Sequence, residues 1–570
     1  MRKKWNKIMM LCVAGTLLAA QVSGCGKTAE TPAGESTDVT TAVTTAAATN
    51  TEKTGSASED IQVTSRLGEG GEKTITYLVA DLADSWDEST AAGITFDTSG
   101  ITVTGTGAAV SGQTVTITEA GTYVVSGTLA DGQILIDAGK EAVVQLVLNG
   151  VELSNQTTAP IYSSGKTKVI LTLAAGTANT VSDSKEYVFA NATDDEPNAP
   201  IFTKGDLTIN GTGSLEVHGN YGCAIRSKSI LTVISGNLNL NAVSDGLKGK
   251  DAVIIRDGSI KITSGKDGIK SNNDEDAEKG YIWIDGGQIQ IAAKDDGIQA
   301  ETALIINDGD ITITESQEAL AGKTVDIIGG FIKATASDDG INSAATVATE
   351  REKQQNQEGV YTRIAGGEIW LDATADGIDS NGNLYIEGGT LYLSGPTGNM
   401  DGILDYNGKG YISGGTFFGA GSSGMMQTFA ADSAQNYLVV YYTAAKKAGT
   451  RITLTDNDGN ELDSYAPEKD FSAVIISTPE IQVGNTYHVI TGEETADLTV
   501  EGLVTTDGAA SGGMGGKGGM GGMGGMRGAD GGQRPEPGEM PTNEAGETIG
   551  GRPGGGQMPP DGQMPERPIE

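Results

Sequence analysis

Apolar and polar positions alternate through the middle of this chain in short bursts, each preceded by a glycine turn. DGSIKIT from Asp257, DGGQIQIA from Asp285, DGDITIT from Asp308, GGFIKAT from Gly329, GGEIWLD from Gly366 and GGTLYLS from Gly388 share one form. A period of two marks a half-buried strand. A second alternating segment precedes each turn, as in Tyr281-Ile282-Trp283-Ile284 and Leu384-Tyr385-Ile386. A third recurring phrase is Asp-Gly-(Ile or Leu)-x-(Ser, Ala or Gly). It begins at Asp245, Asp267, Asp296, Asp339, Asp376 and Asp401, with a degenerate copy, QEALAG, whose Glu318 takes the Asp position.

The steps between successive copies are 22, 29, 22, 21, 37 and 25 residues. The two long steps contain polar insertions at 273–279 (NDEDAEK) and 346–358 (TVATEREKQQNQE). Three short strands per step near 22 residues predict an all-β solenoid, a parallel β-helix in which each rung stacks on the next. The inward positions then form an aliphatic ladder: Ile260, Ile289, Ile311, Ile332, Ile369, Leu391 and Phe417.

The pattern changes at both ends. The β-helix is expected over 74–430, with the stretch before Ala159 acting as early coils or a cap. Over 431–505 the alternation continues without the rung phrase, and Asn457-Asp458-Gly459-Asn460 reads as a hairpin turn. This predicts a small β module closing the open end. Residues 506–570 are rich in Gly, Met and Pro, and 26–73 in Thr and Ala, so both are expected to be disordered. Residues 1–25 read as a targeting segment: Arg2, Lys3, Lys4 and Lys7, a short apolar run, then Val22-Ser23-Gly24-Cys25. That ending resembles a lipobox, so Cys25 is expected to be lipidated and to hold the protein on a membrane at the cell surface.

Composition narrows the function. The net charge of −37 argues against nucleic-acid binding, which depends on neutralising phosphates. Only two histidines exist, which leaves almost no support for a histidine triad or a His-ligated zinc site. Cys223 sits at a rung position held elsewhere by Ala or Asp and reads as a small packed residue.

Candidate chemistry falls on stacked positions. Asp295, Asp296, Asp338, Asp339, Asp376, Asp379, Asp401 and Asp405 recur at equivalent places. Carboxylates on rungs about 4.8 Å apart repel and need neutralising. Lysines such as Lys248 and Lys270 can do this in the early rungs. In the later ones a hard cation with oxygen ligands suits, and calcium fits best. The competing reading is that each Asp caps its own turn. Three residues beyond each Asp runs the ladder Arg226, Lys248, Lys270, Gln299, Ala321, Asn342, Asp379. Lys248 or Lys270 could act as the base of a lyase, or simply balance the aspartates. Outward aromatics, Trp370, Tyr392 and Phe418 in one row and Trp283, Tyr385 and Tyr411 in another, could stack on sugar rings or be covered by the C-terminal module.

The stretch SDGLKGKDAVIIRDGSIKITSGKDGIKSN, with the DDGI and Gly-Gly-x-Ile-x-Ile repeats behind a lipobox, resembles a bacterial family of surface carbohydrate-binding β-helix proteins. That family is similar in fold to family 9 pectate lyases and binds calcium. The resemblance spans roughly 75–430. It implies a calcium-bearing right-handed β-helix that binds cellulose-like or acidic plant polysaccharide, with metal ligands among the aspartates at matching rung positions. Trp283, Trp370, Tyr385 and Tyr392 are the expected sugar-stacking residues. The alternatives are a calcium-dependent polysaccharide lyase using Lys248 or Lys270, and a structural or adhesion protein without a sugar ligand.

Overall fold

The computed structural model describes residues 59–510, apart from 346–348, 350, 352 and 353. The expectations for Cys25, for the spacer up to residue 58 and for the tail beyond residue 510 lie outside the described residues.

The repeat folds as a parallel β-solenoid. One face is a sheet of 13 strands, running from Leu404–Tyr406 through Ile378–Ser380, Ile341–Ser343, Leu320–Gly322, Ile298–Ala300, Ile269–Ser271 and Leu247–Gly249 towards the N-terminal end. These three-residue strands are the Asp-Gly-Ile phrases. Flanking residues are buried and the middle one looks outward, as in Ile269-Lys270-Ser271. The other two faces carry the segments before and after the glycine turn.

The register follows the sequence ladders. Ile260 pairs with Ile289, then Ile311, Ile332, Ile369, Leu391 and Phe417. Every one of these side chains is buried. Each rung leaves its apolar row incomplete, and the next rung covers it.

The glycine turns are needed because the rungs touch there. Gly389 has φ +79°, and a Cβ added to it would lie 2.7 Å from the backbone of Gly366 and Gly367 on the preceding rung. Gly389→Ala is expected to cost about 1–3 kcal/mol, from strain plus overpacking, as read by urea unfolding.

Both ends are closed by antiparallel pairing. At the N-terminal end, Ala92–Asp97 pairs with Gly100–Thr104, and Ala108–Ser111 with Thr114–Ile117. At the other end, Thr416–Gly421 pairs antiparallel with Phe471–Ser477, which pairs with Tyr437–Lys446. A separate four-stranded antiparallel sheet spans Ile452–Asp456, Glu461–Tyr465, Thr486–Thr491 and Glu494–Thr499. Its first turn is the one expected at Asn457–Asn460: Asp456 Oδ1 accepts N–H bonds from Asp458 and Asn460. The final strand, Val504–Asp507, runs past the boundary drawn at 505.

One expectation needs correcting. Residues 61–73 do not belong to a disordered spacer: Ile61–Arg66 and Glu72–Tyr77 form a hairpin. It lies as a strap along the solenoid. Ile75 and Tyr77 pack on Ile254, Trp283 and Ile305. Gly68 N–H donates to Asp326 Oδ1 at 2.8 Å, and the Tyr77 hydroxyl to Asp285 Oδ2 at 2.6 Å. Beyond the hairpin, Lys168 pairs with Asp81 at 2.8 Å. The local composition is polar, but Ile61, Val63 and Ile75 alternate, and the apolar face they meet is supplied by distant residues.

Candidate functional site

The outward residues of the 13-stranded face form one column: Phe202, Arg226, Lys248, Lys270, Gln299, Ala321, Asn342, Asp379 and Asp405. It passes from aromatic, through cationic and neutral, to acidic. Beside it runs the column of Asp245, Asp267, Asp296, Glu318, Asp339 and Asp376.

Four of these carboxylates do cap backbone, but across rungs. Asp267 Oδ1 accepts the N–H of Asp296 (3.1 Å), Asp296 Oδ1 that of Glu318 (3.2 Å), Asp339 Oδ1 that of Asp376 (2.9 Å) and Asp376 Oδ1 that of Gly402 (2.5 Å). Each of these four spends one oxygen on the next turn and keeps the other for a different partner, whereas Asp245 Oδ1 accepts no bond among the described residues and Glu318 Oε1 accepts from the Asn342 side chain.

In the early rungs that partner is a lysine. Lys248 Nζ lies 2.7 Å from Asp245 Oδ2, and Lys270 Nζ lies 2.5 Å from Asp267 Oδ2. Burial pushes the Asp245 carboxyl up, but the Lys248 ammonium outweighs it and holds the group below the usual range. Burial favours loss of the Lys270 proton, yet the Asp267 carboxylate holds its pKa above the ordinary lysine value. An ammonium held this way is a poor proton acceptor.

In the later rungs no lysine arrives among the described residues. Among the described residues, no ion pair involves Asp296, Asp339, Asp376, Asp379 or Asp405. Asp339 is pushed up to about 8 by burial and by Asp376 and Asp379. Asp376 rises to about 7, from burial and the Asp405 and Asp401 charges. Asp379 rises to about 7, from burial and Asp376. Asp296 rises to about 7, from burial, Glu318 and Asp267. Asp405 is also raised by burial, while Gln427 donates to it. Carboxyls this close share protons or share a cation.

Among the described residues, one trio brings its oxygens within 4.8 Å of one another: Asp267, Asp295 and Asp296. Asp267 was not among the expected ligands. Its rung position would have identified it, but its lysine partner pointed elsewhere. Lys270 already supplies one positive charge to this trio. The Asp338, Asp339, Asp376, Asp379, Asp401 and Asp405 group lies further along and has no such counter-charge among the described residues.

The aromatic expectations are largely overturned. Trp283 is fully buried beneath the N-terminal strap, and its indole N–H donates to Asp285 Oδ1 at 2.7 Å. Tyr392 is buried beneath the C-terminal sheet, its hydroxyl 2.9 Å from Asp463 Oδ2 and its ring 5.2 Å from that of Tyr465. Trp370 lies 4.2 Å from the Tyr392 ring and packs against the same cluster. The row Trp370–Tyr392–Phe418 is therefore an internal interface. The register was read correctly, but alternation alone does not show that another part of the chain covers an outward row. Tyr385 remains half-exposed, stacked on Tyr411 at 5.5 Å and 8°. Cys223 is buried, and burial pushes its thiol up to about 11, in keeping with a packed residue.

A stacked β-solenoid with a charge-graded outer face, closed at both ends, defines the class: a solenoid that presents a long, flat, polar surface and no deep catalytic cleft among the described residues. A family model described as carbohydrate-binding domain-containing protein matches residues 111–402, just over half of the chain, and the chain belongs to this family. A carbohydrate-binding domain-containing protein from Acetivibrio thermocellus is 42% identical over 136 residues, which is 24% of this chain and 48% of that one. The chain thus spans about half the length of this curated relative. A solved structure, a gadolinium derivative of the polysaccharide lyase-like protein from C. thermocellum, is 37% identical. It aligns over 46% of this chain and 98% of its own, with a TM-score of 0.39.

Proposed function

We propose that this protein binds polysaccharide along the outward column of the 13-stranded face, with calcium held by the unneutralised carboxylates at its C-terminal end. The observation that carries this reading is the change in counter-charge along one column: Lys248 and Lys270 neutralise the early rungs, and nothing described neutralises Asp339, Asp376 and Asp379. Asp338, Asp339, Asp376, Asp379, Asp401 and Asp405 supply a hard oxygen set suited to calcium. Asp295 and Asp296 form a second candidate with Asp267. A bound cation would also let an acidic sugar approach a chain of net charge −37.

Binding rather than cleavage is favoured because both candidate bases, Lys248 and Lys270, are committed to buried aspartates. The basic start, apolar run and Cys25 support an acyl anchor at the cell surface. The test is native affinity electrophoresis of the protein through gels of different polysaccharides, with calcium and with chelator. Retardation without a cleared zone on staining is the expected outcome. A calcium-dependent cleared zone would establish a lyase. Free migration in every gel would leave a structural role.

A further inference from the structure

The degenerate copy of the rung phrase marks a break in the surface. At 317–322 the chain reads QEALAG, with Glu318 in the Asp position and Ala321 where the neighbouring rungs carry longer side chains. The outward column there runs Lys270, Gln299, Ala321, Asn342 on four successive rungs. Ala321 stops at its Cβ, and a notch of about 230 Å³ opens over it, lined by Gln299, Glu318, Ala321 and Asn342.

Two amide oxygens of this lining, Gln299 Oε1 and Asn342 Oδ1, are shielded from solvent and have no hydrogen-bond partner among the described residues. The Asn342 orientation is set by its own amide nitrogen, which donates to Glu318 Oε1 at 2.6 Å. A buried acceptor without a donor costs about 1–3 kcal/mol. An occupant that brings donors to both recovers that cost.

We propose that the notch is a subsite for one sugar unit of a neutral polysaccharide, whose hydroxyls donate to Gln299 Oε1 and Asn342 Oδ1 once these two part-exposed side chains turn their amide oxygens into the notch. This rests on the carbohydrate-binding reading above and gives it a location. The two acceptors belong to strands two steps of about 4.8 Å apart. A hydroxylated ring spans such a distance more readily than one calcium ion, whose ligands sit within about 2.6 Å of it. The sign of the surroundings selects a neutral sugar. Glu318 borders the notch, and the charges of Asp338, Asp295 and Asp267 act on it. A uronate placed here would meet carboxylates.

The test uses the full protein and two substitutions. Ala321→Gln fills the notch with the side chain that the adjoining rung already carries at Gln299. Gln299→Met keeps the bulk and removes the acceptor. Affinity is read by native electrophoresis through hydroxyethylcellulose and through polygalacturonate, and folding by thermal melting. Ala321→Gln is expected to melt like wild type and Gln299→Met, which removes an unpartnered buried acceptor, at or above it, while both lose about tenfold in affinity for hydroxyethylcellulose, the loss in polygalacturonate being smaller. If Ala321→Gln misfolds, Gln299→Met decides. If wild type is retarded and both variants are retarded equally, the notch is not a subsite and the binding reading stands. A loss as large in polygalacturonate overturns the neutral assignment. Free migration of wild type in both gels overturns the subsite and the binding reading together.

Discussion

Calcium is expected to raise the melting temperature of this protein at pH 8 and to do so much less at pH 5. Asp339, pushed up to about 8, and Asp376 and Asp379, pushed up to about 7, bind protons more tightly folded than unfolded. In the unfolded chain these groups titrate near about 3.9. Between pH 4 and 8 the folded state therefore holds more protons, and stability falls as pH rises through that window. Without metal, melting temperature should drop from pH 5 to pH 8. A cation replaces the protons, so its contribution grows over the same interval. At a hundredfold excess over Kd, one site adds about 2.7 kcal/mol. Asp376→Asn with Asp379→Asn removes two of the repelling charges. This double variant should melt above wild type in chelator at pH 8 and gain little from calcium. An unchanged melting temperature on chelation at pH 8 would rule out structural calcium.

Trp283→Ala is expected to destabilise the solenoid by about 3–5 kcal/mol while leaving polysaccharide affinity intact. The indole is fully buried among Ile254, Ile305, Ile75 and Tyr77. Its removal opens a cavity between the strap and the rungs. It also takes one donor from Asp285, whose carboxylate accepts bonds from Trp283, Tyr77 and Asn307. Hydrogen exchange should show the loss first in the hairpin Ile61–Arg66 and Glu72–Tyr77, because solenoids lose structure locally. Weakened polymer affinity with an unchanged melting temperature would return Trp283 to the binding surface.

Rung by rung, the fold was legible in the sequence because a period of two and a glycine turn are local signals. The inward ladder from Ile260 to Phe417, the outward column from Arg226 to Asp379 and the hairpin at Asp456–Asn460 all follow from spacing. So does the division of labour between Lys248 and Lys270 in the early rungs and uncompensated aspartates in the later ones: both stand in the same phrase, and stacking identical phrases places them in register.

What lies on top of the rungs was decided by tertiary structure alone. Trp283 and Tyr385 share one outward column, yet the first is covered by the strap and the second stays half-exposed. Tyr392 and Trp370 look outward from their strands and still end up against Tyr465. The notch at Ala321 is visible in the sequence only as an imperfect repeat. Its two unpartnered oxygens come from the rungs on either side. A repeating sequence determines each rung and its neighbours, because those contacts recur at a fixed step. Which outward positions remain on the surface depends on non-repeating segments packing from far along the chain, and no periodicity encodes that.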